Sequence, residues 1–186
     1  MKINSLILKL LKNQNITYVD VGAANNLDSR WARFSKFLNY IGFEPDKRSE
    51  INEPNKKYAN KKIIRSAVWD STKKINLNLA RKPELSSFYK PNTNLVNLFS
   101  DSQRFDIVDN IKLDSVKIDD IEIVNCDFIK LDIQGGELKV LEGSVNKLKN
   151  CFGLQVEVEF VSVYLNQPLF SDVSDFLKKH DFVFMD

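Results

Sequence analysis

The chain has 186 residues, enough for one domain with a single substantial core. Its 43% hydrophobic and 28% charged content is that of a soluble globular protein. With 27 basic against 25 acidic side chains the net charge is +2, which excludes the strongly basic footprint of a nucleic-acid or anionic-membrane binder.

In chain order, Met1 to Leu11 carries Leu6, Ile7, Leu8, Leu10 and Leu11 interrupted by Lys2 and Lys9. It is too short to span a bilayer and lacks a small-residue cleavage pattern, so residues 1–15 read as a short helix docked on the domain. Ile16 to Val21 is a β-branched and aromatic run closed by Gly22, the first expected strand. Ser29 to Leu38 places Trp31, Phe34 and Leu38 at helical spacing, with Asp28 as the cap. Tyr40 to Phe43 forms a second strand that runs into Glu44-Pro45, and Pro45 stops the ladder. Lys62 to Trp69 reads as a third. The lysine pairs at 56–57, 61–62 and 73–74 are dispersed among polar and apolar neighbours and read as a solvated rim.

From Ile75 to Val116 the rhythm breaks, with no helix of full length and with Pro83 and Pro91 as punctuation. Such an irregular stretch in a compact domain reads as a substrate-side cover carrying one or two extra strands. Phe128 to Ile133 then resumes the strands, and Leu138, Leu141, Val145 and Leu148 make one helical stripe over Gly136 to Leu148. Gly153 to Phe160 is a further strand, Asp172 to Lys179 a helix, and Phe182 to Met185 a last strand candidate. Strands alternating with helices predict a three-layer α/β sandwich around a mostly parallel, Rossmann-like sheet, all within one domain. Cys126 and Cys151 fit neither a disulfide framework nor a zinc spacing, and read as buried thiols of a cytoplasmic protein. His180, the single histidine, sits at a basic helix end.

The chemistry concentrates at the strand ends. In open α/β sheets ligands bind beyond the carboxyl ends of the strands, where strand order reverses. Here the first strand ends Asp20-Val21-Gly22-Ala23-Ala24-Asn25-Asn26, and Glu44 closes the second strand 22 residues after Gly22. A small-residue turn lets backbone approach a ligand, and an acid at that spacing can accept from both ribose hydroxyls. This pair alone fits dinucleotide enzymes too. The turn, however, lacks the glycine set that a pyrophosphate requires. Asp20 would repel a pyrophosphate but can orient an ammonium group. Ala67 and Val68 end a third strand beside the same cleft and offer an apolar slot for an adenine.

Read in order, Asp20-Val21-Gly22-Ala23, Gly42-Phe43-Glu44-Pro45, Ala67-Val68 and Leu113-Asp114 lead to Ile129-Lys130-Leu131-Asp132-Ile133-Gln134-Gly135-Gly136-Glu137 and Leu141-Glu142-Gly143. This ordered set resembles the FkbM family of class I methyltransferases from Val19 almost to the C-terminus, and Glu157 and Tyr164 fall where that family tends to place them. The resemblance implies a Rossmann-like fold and methyl transfer from S-adenosylmethionine, usually to a hydroxyl oxygen. The implied cofactor residues are Asp20, Gly22, Ala23, Ala24, Asn26, Glu44, Pro45, Ala67, Val68 and Asp132. Ala24 and Asn26 replace the Asn and second Gly of many relatives, and Asn is the non-glycine residue that best tolerates positive φ.

Asp132, Glu137 and Glu157 are the candidate catalytic groups. Asp132 is placed to touch substrate or the methionine part of the cofactor. Glu137 lies on the next turn, either as a neighbouring carboxylate that tunes a base or as a helix-terminal acid. Glu157 and Glu159 share one face of an otherwise apolar strand and therefore need either a cleft or a partner. A divalent cation would suit such oxygens, but no metal is assigned. The expected partner is a sugar or small-metabolite hydroxyl acceptor, with no nucleic acid and no membrane span. Two alternatives stay open: a non-catalytic interaction module that retains the fold, and a dinucleotide or nucleotide-sugar enzyme sharing the first two strands.

Overall fold

The computed structural model describes residues 14–24, 27–49, 57–122 and 125–185. The expected N-terminal helix falls outside these except at residues 14 and 15, and Asn26 lies outside them altogether. The central sheet contains β1 (Ile16–Val21), β2 (Leu38–Phe43), β3 (Asn60–Ile64), β7 (Phe128–Leu131) and β8 (Gly153–Val156), in the order β3-β2-β1-β7-β8. Every neighbouring pair is parallel. The chain builds outward from β1 to β3, then crosses back to lay β7 on the other side of β1. Strand order therefore reverses between β1 and β7, which opens a crevice at their carboxyl ends.

Alternation along β1 sorts its side chains onto two faces. Val19 and Val21 join Ile129 and Leu131 of β7 in the main core, packed on Val140 and Leu141 of α3 (Glu137–Glu142), Leu148 of α4 (Val145–Leu148) and Val173 of α5 (Phe170–Lys179). On the opposite face Tyr18 stacks between Tyr40 at 5.9 Å and Phe128 at 5.4 Å. Trp31 of α1 (Ser29–Ala32) closes this face edge-on to Tyr18 at 5.1 Å. The expected three-layer α/β arrangement, with a parallel sheet covered on both faces, is the one observed.

A second sheet, β4-β6-β5, comprises β4 (Ala67–Val68), β5 (Lys74–Ala80) and β6 (Ile107–Val116). β5 and β6 are antiparallel, with the short α2 (Thr93–Val96) between them. This is the irregular stretch expected over 75–116, and it does carry extra strands.

Several elements are shorter than their sequence patterns predict. The helix expected over 29–38 stops at Ala32, and a 3-10 turn at Ser35–Phe37 delivers the chain into β2 at Leu38. Lys62 to Trp69 is two strands in two sheets, because the chain breaks at Arg65, whose guanidinium bonds the carbonyls of Asp46 and Ser49. The helix expected over 136–148 divides at Gly143, where a Cβ would lie 2.2 Å from the Trp69 carbonyl oxygen. The 153–160 run leaves the sheet after Val156, so Glu157 and Glu159 are not strand residues. Phe182 to Met185 forms no strand. His180 caps α5 and packs on Phe176 at 4.5 Å. No helix among the described residues is long and apolar enough to cross a membrane.

Candidate functional site

β1 ends in a sharp turn at Gly22, whose φ is +86°, a region that favours glycine. A Cβ on Gly22 would lie 1.9 Å from the Asp132 carbonyl oxygen. The loop after β7 crossing the turn therefore by itself requires glycine at this position. The N–H groups of Gly22 and Ala23 both donate to the Phe43 carbonyl at 3.0 Å, so neither is free to bind a phosphate. The helix that follows starts only at Ser29 and has four residues. Among the described residues, then, Gly22 and Ala23 offer no free N–H group for a pyrophosphate, and the next helix does not begin beside the glycine.

Around this turn lies a cleft open to solvent. Of the residues singled out from the sequence, Gly22, Ala24, Glu44, Pro45, Ala67, Val68 and Asp132 line it. Ala23 lies behind the wall, fully buried, with its Cβ facing Gly42. The cover over 75–116 contributes Leu77, Pro83, Glu84, Ser86 and Phe88 to the opposite wall.

Glu44 is 5% exposed, and its Oε1 accepts from the Asp46 N–H at 2.8 Å. Among the described residues its other oxygen has no hydrogen-bond partner. Burial pushes its carboxyl up to about 7, because charge is costly in a low-dielectric wall unless something donates to it. Asp46, the next acid on the wall, is already satisfied by Arg48 at 2.7 Å. Arg48 also donates to the Ala80 carbonyl at 3.0 Å and to Ser86 Oγ at 3.1 Å, tying the cover to the β2 end.

Asp20 does not reach the cleft wall. Its carboxylate accepts from Tyr40 Oη at 2.8 Å and from Lys130 Nζ at 3.2 Å. Lys130 reaches on to Asp132 Oδ2 at 3.4 Å. Burial alone would push the Lys130 ammonium down, but two flanking carboxylates outweigh it and hold it up. Burial pushes the Asp20 carboxyl up against the pull of Lys130. Lys130 Nζ lies between the carboxyl groups of Asp20 and Asp132. Asp20 is thus engaged in holding Lys130, and a ligand ammonium would have to displace it.

Beyond Asp132 the chain turns through Gln134 (φ +59°) and Gly135 (φ +103°) into α3. Glu137 lies beneath this turn, 5% exposed, its Oε1 accepting from the N–H groups of Ile133 at 2.8 Å and Gly135 at 3.2 Å. Burial raises its carboxyl to about 7. It clasps the turn and does not line the cleft. Glu157 does not line the cleft; Gln134, which does, donates from Nε2 to Glu157 Oε2 at 2.7 Å. Although the residue as a whole is exposed, desolvation of its carboxyl and the nearby Asp132 raise Glu157 to about 8.

Sequence reasoning singled out Asp132, Glu137 and Glu157 but made no claim for Lys130 and passed over Gln134 and Asp46. A charged residue inside an apolar strand was the available signal for Lys130. Among the described residues no cluster of three or more His, Cys, Asp or Glu is arranged to hold a metal ion.

The family described as the methyltransferase FkbM domain matches residues 20–184. No curated protein matches the chain. Among solved structures, the crystal structure of a methyltransferase FkbM from Methylobacillus flagellatus KT is similar, with a TM-score of 0.52 and 16% sequence identity. The likeness covers 89% of this chain and 37% of that one, so this chain spans little more than a third of that protein's length. At this identity the neighbour shows the fold, a Rossmann-like methyltransferase sheet. The match over nearly the whole sequence, together with the switch-point cleft, places the chain in the FkbM methyltransferase family.

Proposed function

We propose that this protein is an S-adenosylmethionine-dependent O-methyltransferase acting on a hydroxyl of a sugar or small metabolite. One observation carries the cofactor part: Glu44 is a buried carboxylate with an open oxygen in the cleft wall at the end of β2. Such a group calls for donors, and the two hydroxyls of a ribose supply them. Ala67 and Val68 offer the apolar slot for adenine, and Gly22, Ala24 and Pro45 shape the floor between them. Asn26 belongs to the same turn in sequence.

When bound, S-adenosylmethionine supplies an electrophilic methyl group. The chain's own work is to bring an acceptor oxygen in line with that methyl and to take the acceptor's proton. The three candidate carboxylates divide these tasks by their surroundings. Asp132 lines the cleft with one oxygen toward Lys130 and the other toward Gln134, so it is suited to orient the reacting groups. Glu137 holds the turn. Glu157 is exposed beside Gln134 with its carboxyl raised to about 8, so it suits proton acceptance near neutral pH.

The test is transfer of labelled methyl from S-adenosylmethionine to a panel of hydroxylated acceptors. Label in an acid-stable ether supports the reading. A protein that binds the cofactor yet labels no member of a broad panel would favour the non-catalytic interaction module, the reading motivated by Ala24 and Asn26 in the first turn.

A further inference from the structure

We propose that Gln134 is a positioning residue of the acceptor mouth, its side-chain amide holding Glu157 in register with Asp132. The inference rests on the reading of Glu157 as the proton acceptor. Gln134 Nε2 has two hydrogens and two carboxylates to receive them, Glu157 Oε2 at 2.7 Å and Asp132 Oδ1 at 3.3 Å. Its Oε1 lies 3.0 Å from the Tyr164 hydroxyl, which is also 3.0 Å from the Leu85 carbonyl and so shares one proton between two acceptors. In this orientation both Nε2 hydrogens meet carboxyl oxygens and Oε1 accepts from the Tyr164 hydroxyl.

The backbone supports the same conclusion. Gln134 holds φ +59°, which costs a non-glycine residue on the order of 1–2 kcal/mol. A turn needing only that conformation would be better served by glycine, as at Gly135 beside it. The strained carbonyl is held by Ser87 Oγ at 2.6 Å. Ser87 is fully buried, and its backbone pairs with Asn78 of β5. The cover thus meets this turn through the Gln134 backbone carbonyl, while the amide is aimed by its own side-chain contacts. This links three separate parts of the chain, the β7 turn, the β5 cover and the segment after β8, at one residue.

The charged and titratable groups around Glu157 are Asp132 from the β7 turn, Glu137 from the start of α3, Glu159 from its own segment, and Tyr164. The cations of this network are Lys130, paired with Asp132 at 3.4 Å, and Arg104, which acts on Tyr164. With acids on every side, the Gln134 amide is the donor that favours the ionised form of Glu157.

The test is a carboxyl-carbon NMR titration of glutamate-labelled protein, with Glu157→Gln used to assign the Glu157 signal. Gln134→Gly relieves the left-handed strain and removes the amide; Gln134→Glu keeps the length and removes the donors. Both should leave the protein folded and move the Glu157 midpoint upward by about one unit, while Ser87→Ala, which leaves the amide in place, should move it by much less. An unmoved midpoint in folded Gln134→Gly overturns the proposal. So does an equal shift in Ser87→Ala, which would assign the effect to turn geometry alone. The titration needs no cofactor, so failure to bind S-adenosylmethionine would count against the proposed function and leave the Glu157 result to decide this inference.

Discussion

Replacing Glu44 by Gln probes the cofactor reading at its most specific contact. Gln keeps an oxygen for the Asp46 N–H, the bond of 2.8 Å that orders the β2 exit, and replaces the charged open oxygen by an NH2 group that cannot accept from a hydroxyl. Hydrogen bonds to a charged acceptor contribute about 1.5–3 kcal/mol, so affinity for S-adenosylhomocysteine should fall about 10- to 150-fold. The wild-type site adds a pH signature. Burial holds the free Glu44 carboxyl near 7, and ribose hydroxyls donate best to its ionised form. Below that point a proton must leave on binding, so affinity should weaken by about tenfold between pH 8 and pH 6. Calorimetry in buffers of different ionisation enthalpy should show proton release at pH 6 and little at pH 8. Glu44→Gln should abolish both the release and this part of the pH slope. A folded Glu44→Gln protein with wild-type affinity and an unchanged slope would remove Glu44 from the site and with it the ribose assignment.

Gly22→Ala combines a strained φ with a Cβ 1.9 Å from backbone, so thermal denaturation should show about 3 kcal/mol or more of lost stability; a variant as stable as wild type would contradict this crossing of the two loops. The carboxyls of Glu44, Glu137 and Glu157 all lie above the unfolded value, at about 7, 7 and 8. Their folded forms bind protons that the unfolded chain has released, so they favour stability below about pH 4.5 and lose that contribution as pH rises to 8. Melting of the free protein should therefore drop between pH 5 and pH 8, and Glu137→Gln should flatten part of the slope. Glu157→Gln should lower turnover about 10²- to 10⁴-fold with cofactor affinity nearly unchanged, whereas Asp132→Asn should disturb both, because Asp132 lines the cleft and pairs with Lys130.

What could be read from the sequence was the local pattern. β1 and β2 are short β-branched and aromatic runs ending at a glycine turn and at Glu44-Pro45, so both strands and the cleft between their ends were legible. The broken elements were not, because each break comes from a distant part of the chain. The helical stripe continues past Gly143, but the Trp69 carbonyl occupies the space a side chain would need. The apolar pattern continues past Arg65, but its guanidinium is drawn to the carbonyls after β2. The same holds within the site. Asp20 looked available for a ligand because its partner Lys130 is 110 residues away. Glu137 showed its acidic character but not which N–H groups it clasps. Gln134 was legible only as part of the motif after β7, because its partners Glu157 and Tyr164 lie 23 and 30 residues further on.

The cleft at the carboxyl ends of β1, β2 and β7 is expected to select S-adenosylmethionine. This selection is tested most directly by calorimetric titration of the wild-type protein with S-adenosylhomocysteine and, in parallel, with NAD. Engaged N–H groups at Gly22 and Ala23, and a buried acid with one open oxygen at Glu44, predict one-to-one binding of the homocysteine compound and none of NAD at matching concentrations. Tighter binding of NAD, or no binding of either by the folded protein, would contradict it.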